Sequence, residues 1–289
     1  MSLLQVIILA IVQGLAELLP VSSSAHVVVA EKLMGLDPSA PAMTLLLVML
    51  HTGTMFAVIA YFWRQWRSTY FQSMAAFKSV AVNIMIATAL TGAIGEAIIK
   101  FIERAALHDA KPVQIEDLFG HLEIIAPALA LVGILILFAG LVAGRSALGS
   151  ATAPSEVNIR QACLIGAVQA LCLPFRGFSR SGATISVAML AGVPKPRAEA
   201  FSFALAVVLT PVVVAREAIR LVHVQSTGGA GSLLSAAAPS LLGAVFAFLA
   251  ALVALKWLSQ WLEGGRWYLF GIYCIVAAGV VAGLHRFGY

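Results

Sequence analysis

Two apolar stretches of this chain, 3–35 and 159–193, have a length that a membrane accommodates in few ways. Each covers about 33–35 residues, while a single helical crossing takes about 20. Each is too long for one crossing and short for two crossings plus a turn. Each is also broken near its middle by proline and serines: "ELLPVSSSAH" (17–26) in the first and "LPFRGFSRSGAT" (173–184) in the second. Leu19 precedes Pro20 and is therefore pushed out of helical geometry, so a helix through the first stretch stops there. The economical solution is a re-entrant hairpin: a helix in, an irregular turn at depth, and a helix out on the same side. Non-helical backbone at that depth survives only where protein or a wet cavity satisfies it.

Further apolar stretches run over 42–63, 80–102, 122–144, 199–222, 239–262 and 267–286. With 61% hydrophobic and only 11% charged residues, the chain reads as an all-α polytopic membrane protein. It forms one integral membrane domain over 1–289, with two re-entrant hairpins and about six spanning helices. The runs are continuous rather than alternating, which excludes an outer-membrane barrel. The N-terminus lacks a basic region and a small-residue cleavage site, so no removed signal peptide is expected. A net charge of +5 fits loops and anionic headgroups rather than nucleic acid. Cys163, Cys172 and Cys274 follow no metal or redox spacing and read as small apolar residues. "YFWRQWR" (61–67) and Trp257, Trp261, Trp267 and Tyr268 read as interfacial anchors. "STGGAG" (226–231) reads as a flexible loop, without the flanks of a phosphate-cradling motif.

The two broken stretches resemble each other. With one gap, Gln13 meets Gln169, Ser22 meets Ser179, Ser24 meets Ser181 and Gly35 meets Gly192. The same offset lays the crossing at 42–63 on that at 199–222. The reading is an internal duplication, with one repeat over about 1–144 and the other over about 159–289. Each half holds one hairpin and three crossings. Three is odd, so the second half is inverted, and the hairpins enter from opposite faces with tips that can meet near the midplane. Lys and Arg favour the face holding Arg64, Arg67, Lys78, Arg145, Arg160, Lys195, Arg197, Lys256 and Arg266. That face is read as cytoplasmic, with both termini outside.

The outgoing helix of each hairpin is expected to begin near Ser22 and near Ser179. A helix start presents unpaired N–H groups and about half a positive charge, and two starts aimed at one spot make an anion site. Ser22, Ser23, Ser24, Ser179, Ser181 and Thr184 add hydroxyls, with Gly182 among them, and Arg180 adds a planar fork suited to phosphate oxygens. Plain N-capping accounts for any one serine, but not for paired clusters with an arginine. An arginine at bilayer centre costs roughly 2.5–3.5 kcal/mol on insertion scales, so Arg180 requires a partner. The candidates are Glu17 and a bound phosphate. Gln13 and Glu17, four apart, share a helix face, and His26 shares a face with Ser22 and Ser23. These are the parts of phosphoryl transfer: an attacking serine or water, a histidine to move the proton, an arginine to hold charge. The attacking group stays open among Ser23, His26 and water. His51 in "HTGT" either faces the same cavity or packs between helices. Glu96 and Lys100 read as an i,i+4 structural pair, Arg216, Glu217 and Arg220 as a solvated helix end, and Pro211 as a kink.

"QGLAELLPVSSSAH" (13–26), "LHTGTMFAVIAYFWR" (50–64), "GFSRSGATIS" (177–186) and "FSFALAV" (201–207) resemble, in order, the signatures of the undecaprenyl pyrophosphate phosphatase family, the bacitracin-resistance type. The resemblance covers essentially the whole chain. It implies a bacterial inner-membrane enzyme of interlocked inverted repeats that releases the terminal phosphate of undecaprenyl diphosphate and so recycles the lipid carrier of cell-wall synthesis. It further implies dependence on a divalent cation, Mg2+ or Ca2+. On that match Glu17 belongs to the acidic motif and is the candidate cation ligand, Ser23 and His26 form the catalytic pair, and Arg180 clamps phosphate. Expected partners are the polyprenyl diphosphate, membrane lipid and, as a candidate, a second copy of the chain. The chain departs from the pattern at Gln13, usually glutamate, at Arg176, usually proline, and at Ala25, commonly glycine. One carboxylate fewer is then at hand for a cation. The alternative function is a transporter or flippase of a polyprenyl phosphate lipid, which broken-helix repeats also suit.

Overall fold

The computed structural model of the chain describes residues 1–38, 40–106, 120–146, 157–226, 231–262 and 266–288. The described residues form ten helices: α1 (Leu3–Leu18), α2 (Ser23–Leu33), α3 (Pro41–Thr69), α4 (Met74–Ala106), α5 (Leu122–Ser146), α6 (Ile159–Ala170), α7 (Arg180–Leu190), α8 (Lys195–Ser226), α9 (Gly231–Leu262) and α10 (Tyr268–Arg286). Two short helices followed by three long ones occur twice. α3, α4, α5, α9 and α10 are long and apolar enough to cross a membrane over their described residues. The sixth expected crossing lies in α8, which has the length, at 32 residues, but is not among those that meet both conditions. The protein is an all-helical, polytopic membrane protein.

The aligned positions of the two halves fall at corresponding helix starts and ends. α1 opens on a capping box of Ser2 with Gln5, and α6 on one of Asn158 with Gln161. α1 stops where Pro20 forces it to, with Leu19 extended at φ −75° and ψ 146°. Ser22 and Ser179 are the N-caps of α2 and α7. Gly35 and Gly192 follow those helices at φ +69° and +85°, the left-handed turn that ends a helix. Each ingoing helix packs chiefly across the halves, α1 on α9 and α6 on α4, while α5 packs along α10 and α3 along α8. α6 is fastened to α4 by polar bonds inside the apolar layer. Thr91 donates to the Gly166 carbonyl at 2.9 Å, and Gln169 Nε2 donates to Thr91 Oγ1 at 3.2 Å.

The core lies beneath the second tip, where Ile125, Leu129 and Ile136 of α5 meet Ala183 and Ile185 of α7 and Cys274 and Ala278 of α10. Two expected interfacial anchors belong to this interior instead. Trp66 is 6% exposed and donates to the Ala200 carbonyl, and Trp267 is 2% exposed and donates to Ser186 Oγ. An indole buried with its N–H satisfied contributes large apolar area, so helix packing claims it ahead of the interface. Trp63, at 51% exposed, keeps the outward position. The side chains of Trp257, Trp261, Arg216, Glu217 and Arg220, and most of the 226–231 loop, lie outside the described residues. Glu96 and Lys100 pair at 3.4 Å along α4.

Gly177 sets the second tip. Its φ is +105°, and a Cβ there would come within 2.6 Å of the Ile125 carbonyl oxygen. Left-handed backbone alone costs a non-glycine roughly 1–2 kcal/mol. Gly177→Ala is therefore expected to lower the unfolding temperature in detergent by several degrees and to displace Arg180. An unchanged melting curve contradicts this.

Candidate active site

The two tips meet at one carboxylate. Glu17 Oε1, from the last turn of α1, accepts a hydrogen bond from Arg180 Nη2 of α7 at 2.6 Å. Its Oε2 accepts from Ser23 Oγ of α2 at 2.5 Å and from Gln13 Nε2 at 2.9 Å. His51 Nε2, from α3, lies 3.5 Å from the same oxygen. Four helices converge on a side chain only 12% exposed, and the arginine that needed a partner inside the membrane has it. Gln13 stands four residues before Glu17 on α1, one turn away, which is why its amide reaches the carboxylate.

A cavity of about 300 Å³ opens beside this cluster. Its polar lining includes Ser22, Ser23 and Ser24 from the first tip, and Arg176, Ser179, Arg180 and Ser181 from the second. Its apolar lining includes Leu47 and Val48 of α3, Ile99 of α4, and Ala206, Leu209 and Val214 of α8, with Thr44 and Thr210 on the same helices. Arg180 Nη2 serves Glu17, and Nη1 is buried without a hydrogen-bond partner among the described residues. The guanidinium thus has donors left for an anion.

Ser22 and Ser179 align in sequence but differ in use. Ser179 Oγ accepts from Gly182 N at 3.2 Å, an ordinary helix cap. Ser22 does not cap α2; its hydroxyl faces Ser24 Oγ at 3.4 Å. Ser22 also has φ +67° and is the one non-glycine residue with positive φ among the described residues. Such backbone persists only where neighbours enforce it, and His26 is that neighbour. Its Nδ1 lies 2.8 Å from the Ser22 carbonyl oxygen, which can only accept, so Nδ1 carries the proton. Its Nε2 then accepts from the Tyr273 hydroxyl of α10 at 2.7 Å, with the rings stacked at 5.7 Å.

His26 therefore does not join Glu17 and Ser23, as its helix face suggested, and does not line the cavity. The bond back along α2 and the tyrosine on α10 turn its ring outward. Four expected phosphate contacts have partners within the protein. Gln13 is fully buried behind Glu17. Thr184 donates back to the Arg180 carbonyl and meets Ser202 Oγ at 2.6 Å, packing α7 on α8. Gly182 faces Pro20, whose carbonyl oxygen a Cβ would approach to 3.0 Å, so its contribution is to let the tips touch. Ser181 donates to the Leu19 carbonyl at 3.3 Å, binding one tip to the other. Tyr273 was invisible in the sequence, since a tyrosine in an apolar helix carries no mark of a buried partner. Cys172, read as a plain apolar residue, lines the cavity. Losing one net hydrogen bond costs about 1 kcal/mol, so Tyr273→Phe is expected to slow turnover about fivefold by loosening His26 and Ser22. A rate equal to the parent's removes Tyr273 from the site.

The residues present do not make a divalent-cation site. Among the described residues Glu17 is the only carboxylate lining the cavity, both its oxygens already accept hydrogen bonds, and a guanidinium sits against one of them. No group of three His, Cys, Asp or Glu suited to a metal occurs among the described residues. A hard cation takes several oxygen ligands, and Gln13, where a second carboxylate would stand, turns its amide nitrogen to Glu17.

The described residues thus define a polytopic helical membrane protein in which two broken hairpins bring a carboxylate, an arginine and a serine cluster to one cavity. Comparison with known proteins identifies its family. The family model for the bacitracin resistance protein BacA matches residues 6–280, and the chain belongs to that family. It is 56% identical over 287 residues to "Undecaprenyl-diphosphatase 2" of Acinetobacter baylyi, with 97% of each chain covered. It is 32% identical over 290 residues to proteins of the same name, numbered 2 in Burkholderia orbicola and 1 in Burkholderia pseudomallei, covering 96% of this chain and 95% of each relative.

Proposed function

We propose that this protein is a membrane-embedded phosphatase that converts undecaprenyl diphosphate to undecaprenyl phosphate and inorganic phosphate. The observation that carries the reading is the single Glu17 carboxylate that holds both the Ser23 hydroxyl and Arg180 at the edge of the cavity. The cavity's mixed lining supports the substrate class: a diphosphate against the serines and arginines, a polyprenyl chain against the apolar residues of α3, α4 and α8. The names carried by the relatives point the same way.

In this reading Ser23 Oγ attacks the terminal phosphorus and its proton passes to Glu17 Oε2. The bond from phosphorus to the bridging oxygen breaks, and its electron pair leaves with the lipid monophosphate. Arg180 holds the charge that gathers on the phosphoryl oxygens, the largest single service a site gives this chemistry. Water then releases the phosphate from Ser23. His26 acts as a positioning residue, holding Ser22 so that Ser23 faces Glu17. No step is routed through a metal. A Mg2+ or Ca2+ requirement is assigned to the diphosphate, whose oxygens bring the ion.

The protein is further read as an inner-membrane enzyme of two inverted repeats with both termini on the outer side, and a homodimer as its candidate assembly. The transporter reading has less support, since moving a lipid does not call for a serine hydroxyl hydrogen-bonded to a carboxylate. The test is release of phosphate from undecaprenyl diphosphate by purified protein, with and without magnesium, beside an assay of lipid movement in vesicles. Movement between leaflets without phosphate release selects the transporter. Magnesium binding to the protein alone, seen by calorimetry, overturns the assignment of the ion to the substrate.

A further inference from the structure

We infer that His51 is the base that activates water in the second half of this reaction, an assignment that rests on the phosphatase reading above. His51 Nδ1 lies 2.8 Å from the Leu47 carbonyl oxygen one turn earlier on α3. A carbonyl only accepts, so Nδ1 donates to it, and in the neutral ring Nε2 is then the nitrogen with the lone pair. His51 lines the cavity, its side chain is 30% exposed, and its Nε2 lies 3.5 Å from Glu17 Oε2. That oxygen is the one Ser23 Oγ donates to. In the neutral ring Nε2 and Glu17 Oε2 are both acceptors and do not bond to each other, which leaves Nε2 to take a donor from the cavity side. A water there donates to Nε2 and stands beside the phosphorus once Ser23 holds it.

His26 lacks this opening. One of its nitrogens serves the Ser22 carbonyl and the other the Tyr273 hydroxyl. Of the two histidines near the tips, His51 is the one with a free lone pair turned to the cavity. The step balances as follows. The water oxygen bonds to phosphorus as the bond from phosphorus to Ser23 Oγ breaks. That electron pair returns to Oγ, which recovers its proton from Glu17. The proton lost by water goes to His51 Nε2 and then to solvent, and inorganic phosphate leaves.

The assignment is tested on the full chain in detergent with a farnesyl diphosphate radiolabelled in its terminal phosphate. In His51→Gln, steady-state phosphate release is expected to fall about 10²-fold or more, the usual contribution of a positioned base. Farnesyl phosphate appears in one burst, the label stays on Ser23, and added imidazole restores release. His26→Asn turns over more slowly but holds no label, because its defect lies in positioning Ser23 before attack. Release by His51→Gln within about threefold of the parent, or its loss with no labelled protein and no rescue, overturns the assignment. If His51→Gln does not fold, His26→Asn decides alone: label trapped on Ser23 there gives the water step to His26 and refutes the proposal, while none trapped supports it. A parent that releases no phosphate defeats the phosphatase reading itself, whereas an active parent with an active His51→Gln defeats only His51.

Discussion

An Arg180→Ala variant is expected to lose phosphate release by at least about 10³-fold and to unfold more readily than the parent. The two losses have separate causes. Catalysis fails because this guanidinium, held by Glu17 at the meeting of the tips, is the donor placed beside Ser23 for the developing phosphoryl charge. Stability falls because Glu17, 12% exposed, is left as a charge without its counter-charge. Breaking a buried pair by deleting one partner costs about 3–5 kcal/mol. The double variant Arg180→Ala, Glu17→Gln separates them. It removes the stranded carboxylate, so the unfolding temperature recovers most of the drop, while activity stays absent. Phosphate release and thermal unfolding on the same preparations check this. Activity within tenfold of the parent in Arg180→Ala removes the arginine from the reaction, and a double variant no more stable than the single one refutes the account of the pair.

The second large effect belongs to Ser23→Ala. If Ser23 Oγ is the attacking atom, its removal takes away the reaction's first bond, and turnover is expected to fall by about 10³-fold or more. Stability should hardly change. Glu17 Oε2 keeps the Gln13 amide and Oε1 keeps Arg180, so one hydrogen bond of about 1 kcal/mol is lost. The cavity keeps its shape, so the lipid diphosphate still binds, measurable as protection against thermal unfolding. Full turnover in Ser23→Ala assigns the attack to water directly. A collapse in stability instead assigns Ser23 to the fold.

The polytopic fold and the two broken hairpins were legible because bilayer physics is strict about length. A run of 33 residues with Pro20 in its middle has few places to go. The alignment of Gly35 with Gly192 was legible because both need the same left-handed helix end, and that of Ser22 with Ser179 because both stand at a helix start, although their backbones differ there. The partner of Arg180 was narrowed to two candidates by the cost of burying charge. The histidine was a different matter. Periodicity puts His26 on the face of Ser22 and Ser23, and that face is right; a hydroxyl on α10, about 250 residues away, turns the ring outward. The same rule could not decide whether His51 faced the cavity, because that depends on how α3 lies against α1.

Sequence by itself determined what each segment can do alone: which runs cross, where helices stop, which residues are too polar to be left in lipid without a partner. These are local matters of chain length, backbone geometry and desolvation cost. Only the tertiary structure decided who the partners are. Glu17 is claimed by Arg180, Ser23 and Gln13 because three helices happen to bring donors within reach of two oxygens, and Thr184 is lost to Ser202 for the same reason. A hydrogen bond is set by distances of a few tenths of an ångström between separate helices, and no pattern along one chain encodes that spacing.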